Sequence, residues 1–428
     1  MPSTGPSPLT FDIKRFEELG VQVEESWRSA NYSDESFPKI ATEALERAKF
    51  LEDTDPAAIL TWLLSNPSTP QQQDALGHFG QPPVTLFYGP RFCIDVYFWM
   101  ESTTTIHDHG FCGAFAVLKG SSVQTRYVFE NRREINPHFY TGDIRCIGAE
   151  MLKPGEVRTI HSGEEFIHSV FHLEHPSVTI CIRTHRSPTP QPQCDFYPPY
   201  FAQNPFFTCP VKSKELAAIH TLMGMEHPES DEIVKKTLAS TDFQTAFSIL
   251  RACWISSRGD QNEPRFQDWL SVVKKRHPEL SERIIPTFSE IQRQGILLAR
   301  RATVTKTEHR FFLAAFLTIT NREAMIDFVR SQYPDKEPHE FMVDCLLELS
   351  CTQRSDSLES NVLGIDGIDA DYLFVFECLL RGLSDDQLLE FCRENPSQNE
   401  RPDEPKIMKD LAVRIRNTDI FSAQFRMD

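Results

Sequence analysis

Between Val84 and His185 the chain reads as short β-branched and aromatic runs, and this block limits its possible folds more than any other feature. The runs are "FCIDVYFWM", "FAVLKG", "SVQTRYVF", "FIHSVFHL" and "SVTICIRTH", and the turn signals "YGP", "NP", "KPGE" and "SGEE" punctuate them. Several short strands at near-regular spacing predict a sandwich or a barrel.

The flanks carry a different period. Residues 1–80 read as a helical segment. "FDIKRFEELG" and "FPKIATEALERAKFLED" have apolar residues at helical spacing, and "DPAAILTWLLSN" offers Asp55 as N-cap with Pro56 at the first helical position. The turn-rich "NPSTPQQQDALGHFGQPP" connects it to a β region over 81–190. A Pro-rich stretch, "RSPTPQPQCDFYPPYFAQNPFF", ends that region, and 191–212 is expected to be an extended arm or link. From 213 to 428 the 3.6-residue period predicts an all-α region, in runs such as "FQTAFSILRACWISS" and "EHRFFLAAFLTI". Within it, the stretch beginning "AAFLTITNREAMIDF" echoes the one beginning "ECLLRGLSDDQLLEF". Stacked helical repeats and unrelated amphipathic helices both explain the echo.

Composition excludes several classes. There is no run of about 18 apolar residues, so no membrane span is expected. The first residues lack a basic region followed by an apolar core, so no secretory signal is expected. A formal charge of −17 argues against a broad nucleic-acid surface, which needs clustered Lys and Arg. The 11 cysteines are odd in number, scattered and without a CxxC, which predicts reduced, mostly buried thiols in a cytoplasmic protein.

The chemistry concentrates in two motifs. "TTTIHDHGFCGAFAVLKG" places His107 and His109 two apart, so on a strand both rings share one face with Asp108 opposite. "HSGEEFIHSVFHL" supplies His168 at the start of a later strand. Three imidazoles from strands lying side by side could hold one ion.

This order of motifs resembles the cupin superfamily. His107, His109 and Gly120 match its first motif, with Gly113 where a glutamate usually stands. Pro154-Gly155, a longer insert and His168 stand in for the second. Within cupins the chain is most similar to the cysteine dioxygenase-like, three-histidine thiol dioxygenases, through Ile106 to His109, His168-Ser169-Val170, and Pro176 leading into "SVTICIRT". The resemblance implies an α+β protein. Its centre would be a cupin-type β-barrel (a double-stranded β-helix), flanked by the N-terminal helical segment and the large C-terminal all-α region. It implies Fe(II) held by His107, His109 and His168 without a carboxylate, acting on a substrate with O₂.

Two departures bear on the substrate. The family's relay histidine and tyrosine fall at Cys181 and Arg183, and its crosslinking cysteine falls at Gly113, beside Cys112. Arg183 would suit a carboxylate through a bidentate contact. Arg126 and Tyr127, one inward and one outward by parity, are further candidates to line the pocket. Cys181, Cys112 and His161 are candidates to lie beside the ligands. His172, His175 and His185 read as surface or hydrogen-bonded residues. Asp95, inside an apolar strand, must be paired or at an edge.

The expectation is therefore a dioxygenase-like oxidoreductase acting on a small anionic substrate, sulfur-containing or derived from an amino acid. Zn, Ni or Mn with isomerase, lyase or hydrolase chemistry is the first alternative, because three histidines also suit those metals. A non-enzymatic ligand-binding scaffold is the second. The Phe-rich C-terminal helices would form a core, a lid over the barrel mouth or a homo-oligomer surface.

Overall fold

A computed structural model describes residues 11–73, 79–100, 103–186, 191–256, 260–352, 361–394 and 404–425. Among these residues ten strands form: β1 Pro83–Tyr88, β2 Phe92–Trp99, β3 Gly113–Lys119, β4 Ser122–Asn136, β5 Phe139–Leu152, β6 Val157–Ile160, β7 Ile167–His172, β8 Ser177–Thr184, β9 Asp195–Tyr197 and β10 Phe201–Gln203. They make two five-stranded antiparallel sheets, ordered β1-β2-β8-β3-β6 and β7-β4-β5-β10-β9.

Strict alternation gives each strand two jobs. In β2, Phe92, Ile94, Val96 and Phe98 join an apolar cluster, while Asp95, Tyr97 and Trp99 line a cavity. In β8, Val178, Ile180 and Ile182 join the same cluster, and Thr179, Cys181 and Arg183 line the cavity. In β7, His168, Val170 and His172 line the cavity, and Phe171 packs the other way. Both faces of the central strands are therefore buried, which is why they read as continuous apolar runs with isolated polar interruptions.

Helices cover the outer faces. The N-terminal helices are α1 Lys14–Ser29, α2 Phe37–Arg47 and α3 Pro56–Ser65. Phe16, Leu19, Val23 and Trp27 form one buried stripe of α1 and pack with the outer residues of β2 and β8. Each such side chain contributes about 1.5–3 kcal/mol when fully buried. Asp55 caps α3, its carboxylate accepting from the Ala57 N–H at 2.9 Å with Pro56 at the first position.

The later helices are α4 Pro210–Gly224, α5 Ser230–Ser240, α6 Phe243–Ser256, α7 Pro264–Arg276, α8 Pro278–Ser281, α9 Ile284–Thr303, α10 Thr307–Thr318, α11 Arg322–Gln332, α12 Pro338–Cys351, α13 Ala370–Leu380, α14 Asp385–Glu394, α15 Glu404–Arg416 and α16 Ser422–Phe425. Phe139 and Phe201 of the second sheet pack with α5, α6 and α7, and Val123 and Phe171 pack with α10 and α12. Two buried arginines anchor this layer. Arg301 donates through Nε and Nη2 to the His172 carbonyl at 3.0 and 2.7 Å, and Arg310 donates to the Leu173 carbonyl at 3.0 Å. The two halves of the sequence echo are α10–α11–α12 and α13–α14–α15. No helix of the described residues is long and apolar enough to cross a membrane.

One expectation needs correction. The Pro-rich stretch is not only an arm or link: it contributes β9 and β10 to the second sheet, paired to each other and to β5. Phe196, Phe201 and Ala202 bury completely enough to hold these three-residue strands in place.

Candidate metal centre

The HxH segment is not a regular strand but an extended link pinned on both sides. His107 and His168 exchange both backbone hydrogen bonds at 2.9 Å, Thr104 N–H reaches the Val170 carbonyl, and Asp108 N–H reaches the Cys194 carbonyl. Asp108 points away from the histidines, as alternation requires. Its buried carboxyl accepts from the Cys194 N–H at 2.6 Å, and burial raises its pKa to about 7 against that hydrogen bond.

The three rings form a nearly equilateral triangle. Ring centroids lie 4.8 Å apart for His107–His109, 4.8 Å for His107–His168 and 4.9 Å for His109–His168. One ligand atom from each lies within 4.8 Å of the others, and all three residues are buried. No carboxylate or thiol among the described residues joins the group.

Neighbouring groups fix two tautomers. His107 Nδ1 lies 2.9 Å from the Thr105 carbonyl, which only accepts, so Nδ1 carries the proton. His168 Nδ1 lies 2.9 Å from Gln124 Oε1, while Gln124 Nε2 lies 2.7 Å from Glu150 Oε1. A carboxylate only accepts, so the amide must turn its NH₂ to Glu150 and its oxygen to His168. Both Nε2 atoms therefore present lone pairs. Arg158 holds Glu150 in turn, through Nε at 3.0 Å and Nη2 at 2.7 Å.

Burial keeps the set neutral. It lowers the pKa of His107, and it holds His109 and His168 well below the usual range, with the charge on neighbouring histidines adding to the shift. Three neutral, converging, buried imidazoles fit a divalent transition metal of borderline softness. Position 113 could not add a carboxylate to this group. A Cβ there would lie 1.9 Å from the Ile182 carbonyl oxygen, so the β3–β8 approach excludes any side chain.

A cavity of about 290 Å³ opens from the triad between the sheets. Phe115, Val117, Leu152, Ile160 and Val170 make apolar walls. Two polar clusters interrupt them. In the first, Arg183 Nε donates to Asp95 Oδ2 at 2.9 Å and to the Tyr97 hydroxyl at 3.1 Å. Thr85 Oγ1 and Cys93 Sγ also donate to Asp95. Neither Nη of Arg183 has a hydrogen-bond partner among the described residues. The guanidinium lies over the Phe111 ring at 5.4 Å, and that ring contacts His109 at 4.8 Å. In the second, Ser122 Oγ lies 2.8 Å from His172 Nδ1, and Trp99 stacks on His172 at 4.9 Å.

The structure sorts the remaining candidates. Cys181 lines the cavity between Thr179 and Arg183. Arg126 does not line it: the guanidinium lies over Phe166 at 4.0 Å and donates to the Glu165 carbonyl, and the same ring lies 4.7 Å from that of His168. Tyr127 faces the opposite way, into a cluster with Ile106, Ile167 and Phe196. Cys112 lies under α1 and α2, its Sγ 3.7 Å from the Asp34 carbonyl, because it falls on the outer face. His161 is half-exposed beside Glu165, outside the cavity.

Sequence reasoning missed Gln124, Ser122 and Trp99, and read His172 too blandly. His172 is buried and lines the cavity, its Nε2 has no hydrogen-bond partner among the described residues, and burial lowers its pKa to about 3. The only available signal was alternation from His168, which puts residues 168, 170 and 172 on one face.

No protein-family model matches the chain, and no curated protein does. Among the solved structures that the chain resembles are two of faint likeness. One is a chain from the crystal structures of the DMSP lyases RdDddP and RnDddQII, with 12% identity over 39% of this chain and 93% of that one, at TM-score 0.21. The other is E. coli ycfD, with 13% identity over 42% of this chain and 43% of that one, at TM-score 0.18. At those scores neither carries an argument, and the chemistry rests on the residues themselves.

Proposed function

We propose that the chain is a non-haem, iron-dependent and O₂-dependent oxygenase, built on a cupin-type barrel and acting on a small anionic substrate. The observation that carries this reading is the convergence of His107, His109 and His168, neutral and buried, on one point of a cavity wall. Two sheets enclosing that cavity support the barrel, and the two motifs resembling the thiol dioxygenases support iron.

His107, His109 and His168 would hold the metal, and Fe(II) would supply the redox chemistry by which O₂ is activated. The three imidazoles, with no carboxylate among them, would leave a bound metal open to substrate and its positive charge uncompensated, which would favour an anionic substrate. The Thr105 carbonyl and Gln124 orient two of the ligands. Arg183, with Nε spent on Asp95 and Tyr97, offers its two Nη groups to a carboxylate. Phe111, Phe115 and Phe166 surround the histidines and keep bulk water away. Cys181 and Arg183, where the family carries its relay pair, favour an acid other than cysteine itself. The substrate class is a small organic acid, sulfur-bearing or derived from an amino acid. The protein would work in the cytoplasm, with the helical regions as its own scaffold.

Oxygen uptake tests the reading. Protein reconstituted with Fe(II) without oxygen, then exposed to O₂ with a panel of small thiol and amino carboxylic acids, should consume O₂ with at least one of them. Turnover of an acid in the strict absence of O₂ would contradict it and support a redox-neutral isomerase, lyase or hydrolase.

A further inference from the structure

His172 is a histidine whose ring is fixed on every side yet incompletely satisfied. It sits four residues beyond His168 on the same face of β7, in the cavity wall. Ser122 Oγ engages Nδ1 at 2.8 Å. The Trp99 ring stacks on it with an interplanar angle of 18°, and Trp99 Nε1 donates to Thr179 Oγ1 at 3.0 Å, so the stacking partner is itself held. Behind it, Arg301 clamps the backbone carbonyl with two hydrogen bonds. Against this support, Nε2 has no hydrogen-bond partner among the described residues. Buried polar atoms are rarely left so, and a site built to hydrogen-bond a ligand group is one reason for an exception.

The position sets what the partner is. Trp99 and His172 lie beside Thr179, whereas Arg183 is four residues further along β8, on the order of 13 Å at ~3.3 Å per residue. Gly113 pairs with Arg183, and Phe111 touches both Arg183 and His109, so the arginine lies at the triad end. His172 lies at the other end, with apolar walls between. A volume of about 290 Å³ has room for an organic acid of medium length. The ring is neutral near neutral pH, so it does not read a second anion.

We propose that His172 Nε2 is a substrate-binding group that hydrogen-bonds an uncharged hydroxyl, thiol or amide at the tail of a medium-length organic acid whose carboxylate sits at Arg183. The proposal rests on the cavity being the substrate site, and it deepens the proposed function by giving the substrate a length and a second functional group.

Calorimetric titration with matched acids tests it. The probes are the straight-chain carboxylic acids of four to eight carbons and their ω-hydroxy counterparts, added to wild-type protein with and without one equivalent of zinc. At one chain length the hydroxy acid should bind about tenfold more tightly than its parent, equivalent to about 1.4 kcal/mol. His172→Phe should bring that ratio to about one, each hydroxy acid being compared with its parent acid on the same variant. His172→Gln, which keeps a polar tip, should retain part of the preference, and thermal unfolding shows whether each variant is folded. A ratio below twofold at every length, no binding of any acid at millimolar concentration, or a preference that survives His172→Phe overturns the proposal. Loss of zinc binding with the preference intact would instead overturn the metal reading and leave this one standing.

Discussion

His168 donates its Nδ1 proton to Gln124, and this one contact decides which nitrogen of the ring is free to bind a metal. The 2.9 Å contact is made across two neighbouring strands, and Glu150 orients the amide from behind at 2.7 Å. Such outer partners of metal-ligating histidines fix ring orientation and raise ligand basicity. Gln124→Leu should therefore weaken metal affinity about 10–100-fold with the fold intact. Chelator competition against the wild type measures it, and unchanged affinity would remove Gln124 from the site.

The Asp95–Arg183 pair yields a stability prediction. Asp95 is 2% exposed at its side chain and Arg183 17%, so the pair is largely removed from water. Arg183→Gln leaves a buried carboxylate without its cation, which costs about 3–5 kcal/mol. Asp95→Asn combined with Arg183→Gln should recover most of that loss. Urea unfolding of the three proteins checks this, and additive losses would show that the two side chains do not act as a pair.

Acid should weaken the metal-free protein. The folded-state pKa of His172 is depressed to about 3, and those of His107, His109 and His168 are lowered, all chiefly by burial. A lowered histidine pKa means the unfolded chain binds more protons below about pH 6.5, so stability rises with pH there. The contribution is present above the unfolded pKa and is lost as pH falls from about 6.5 toward the lower folded values. The pH dependence of unfolding between 7 and 5 should show net proton uptake by these histidines, offset by about one proton because the Asp108 carboxyl, raised to about 7, already carries its proton in the folded state in the lower part of that window. His172→Phe should reduce that uptake by about one proton, and an unchanged pH dependence would contradict the buried, neutral assignment.

The helical layer should matter to the cavity wall. Arg301 makes two hydrogen bonds to the His172 carbonyl from α9 and is 1% exposed. Hydrogen bonds from a charged donor are worth about 1.5–3 kcal/mol each, so Arg301→Met should destabilise the fold by about 3 kcal/mol or more. Amide exchange should rise first in β7. Uniform exchange changes across the molecule would show that the arginine supports the helices alone.

What could be read from the sequence follows from what repeats. His107, His109 and His168 stood out because ligand spacing is local for two of them and strand-anchored for the third. The β block stood out because alternation and turn residues are local too. Gln124 did not, because its meaning depends on pairing with a strand 44 residues away. Parity alone offered Arg126 and Tyr127, whereas the inward residues that matter are Ser122 and Gln124. His172 read as a surface or hydrogen-bonded histidine, and its place in a cavity wall was hidden because nothing local says that α9 covers the back of β7. Cys112 looked close to the ligands in sequence, but one step of alternation puts it on the outer face. β9 and β10 were hidden because prolines dominate their surroundings and each strand is three residues long.

Metal stoichiometry, measured on protein purified without an affinity histidine tag and reconstituted anaerobically with Fe(II) or Zn(II), tests the triad most directly. One metal per chain is expected for the wild type, with affinity falling at least 100-fold in each of His107→Ala, His109→Ala and His168→Ala. A wild type that takes up no stoichiometric transition metal, or a His168→Ala variant that binds it as tightly as the wild type, would contradict the account.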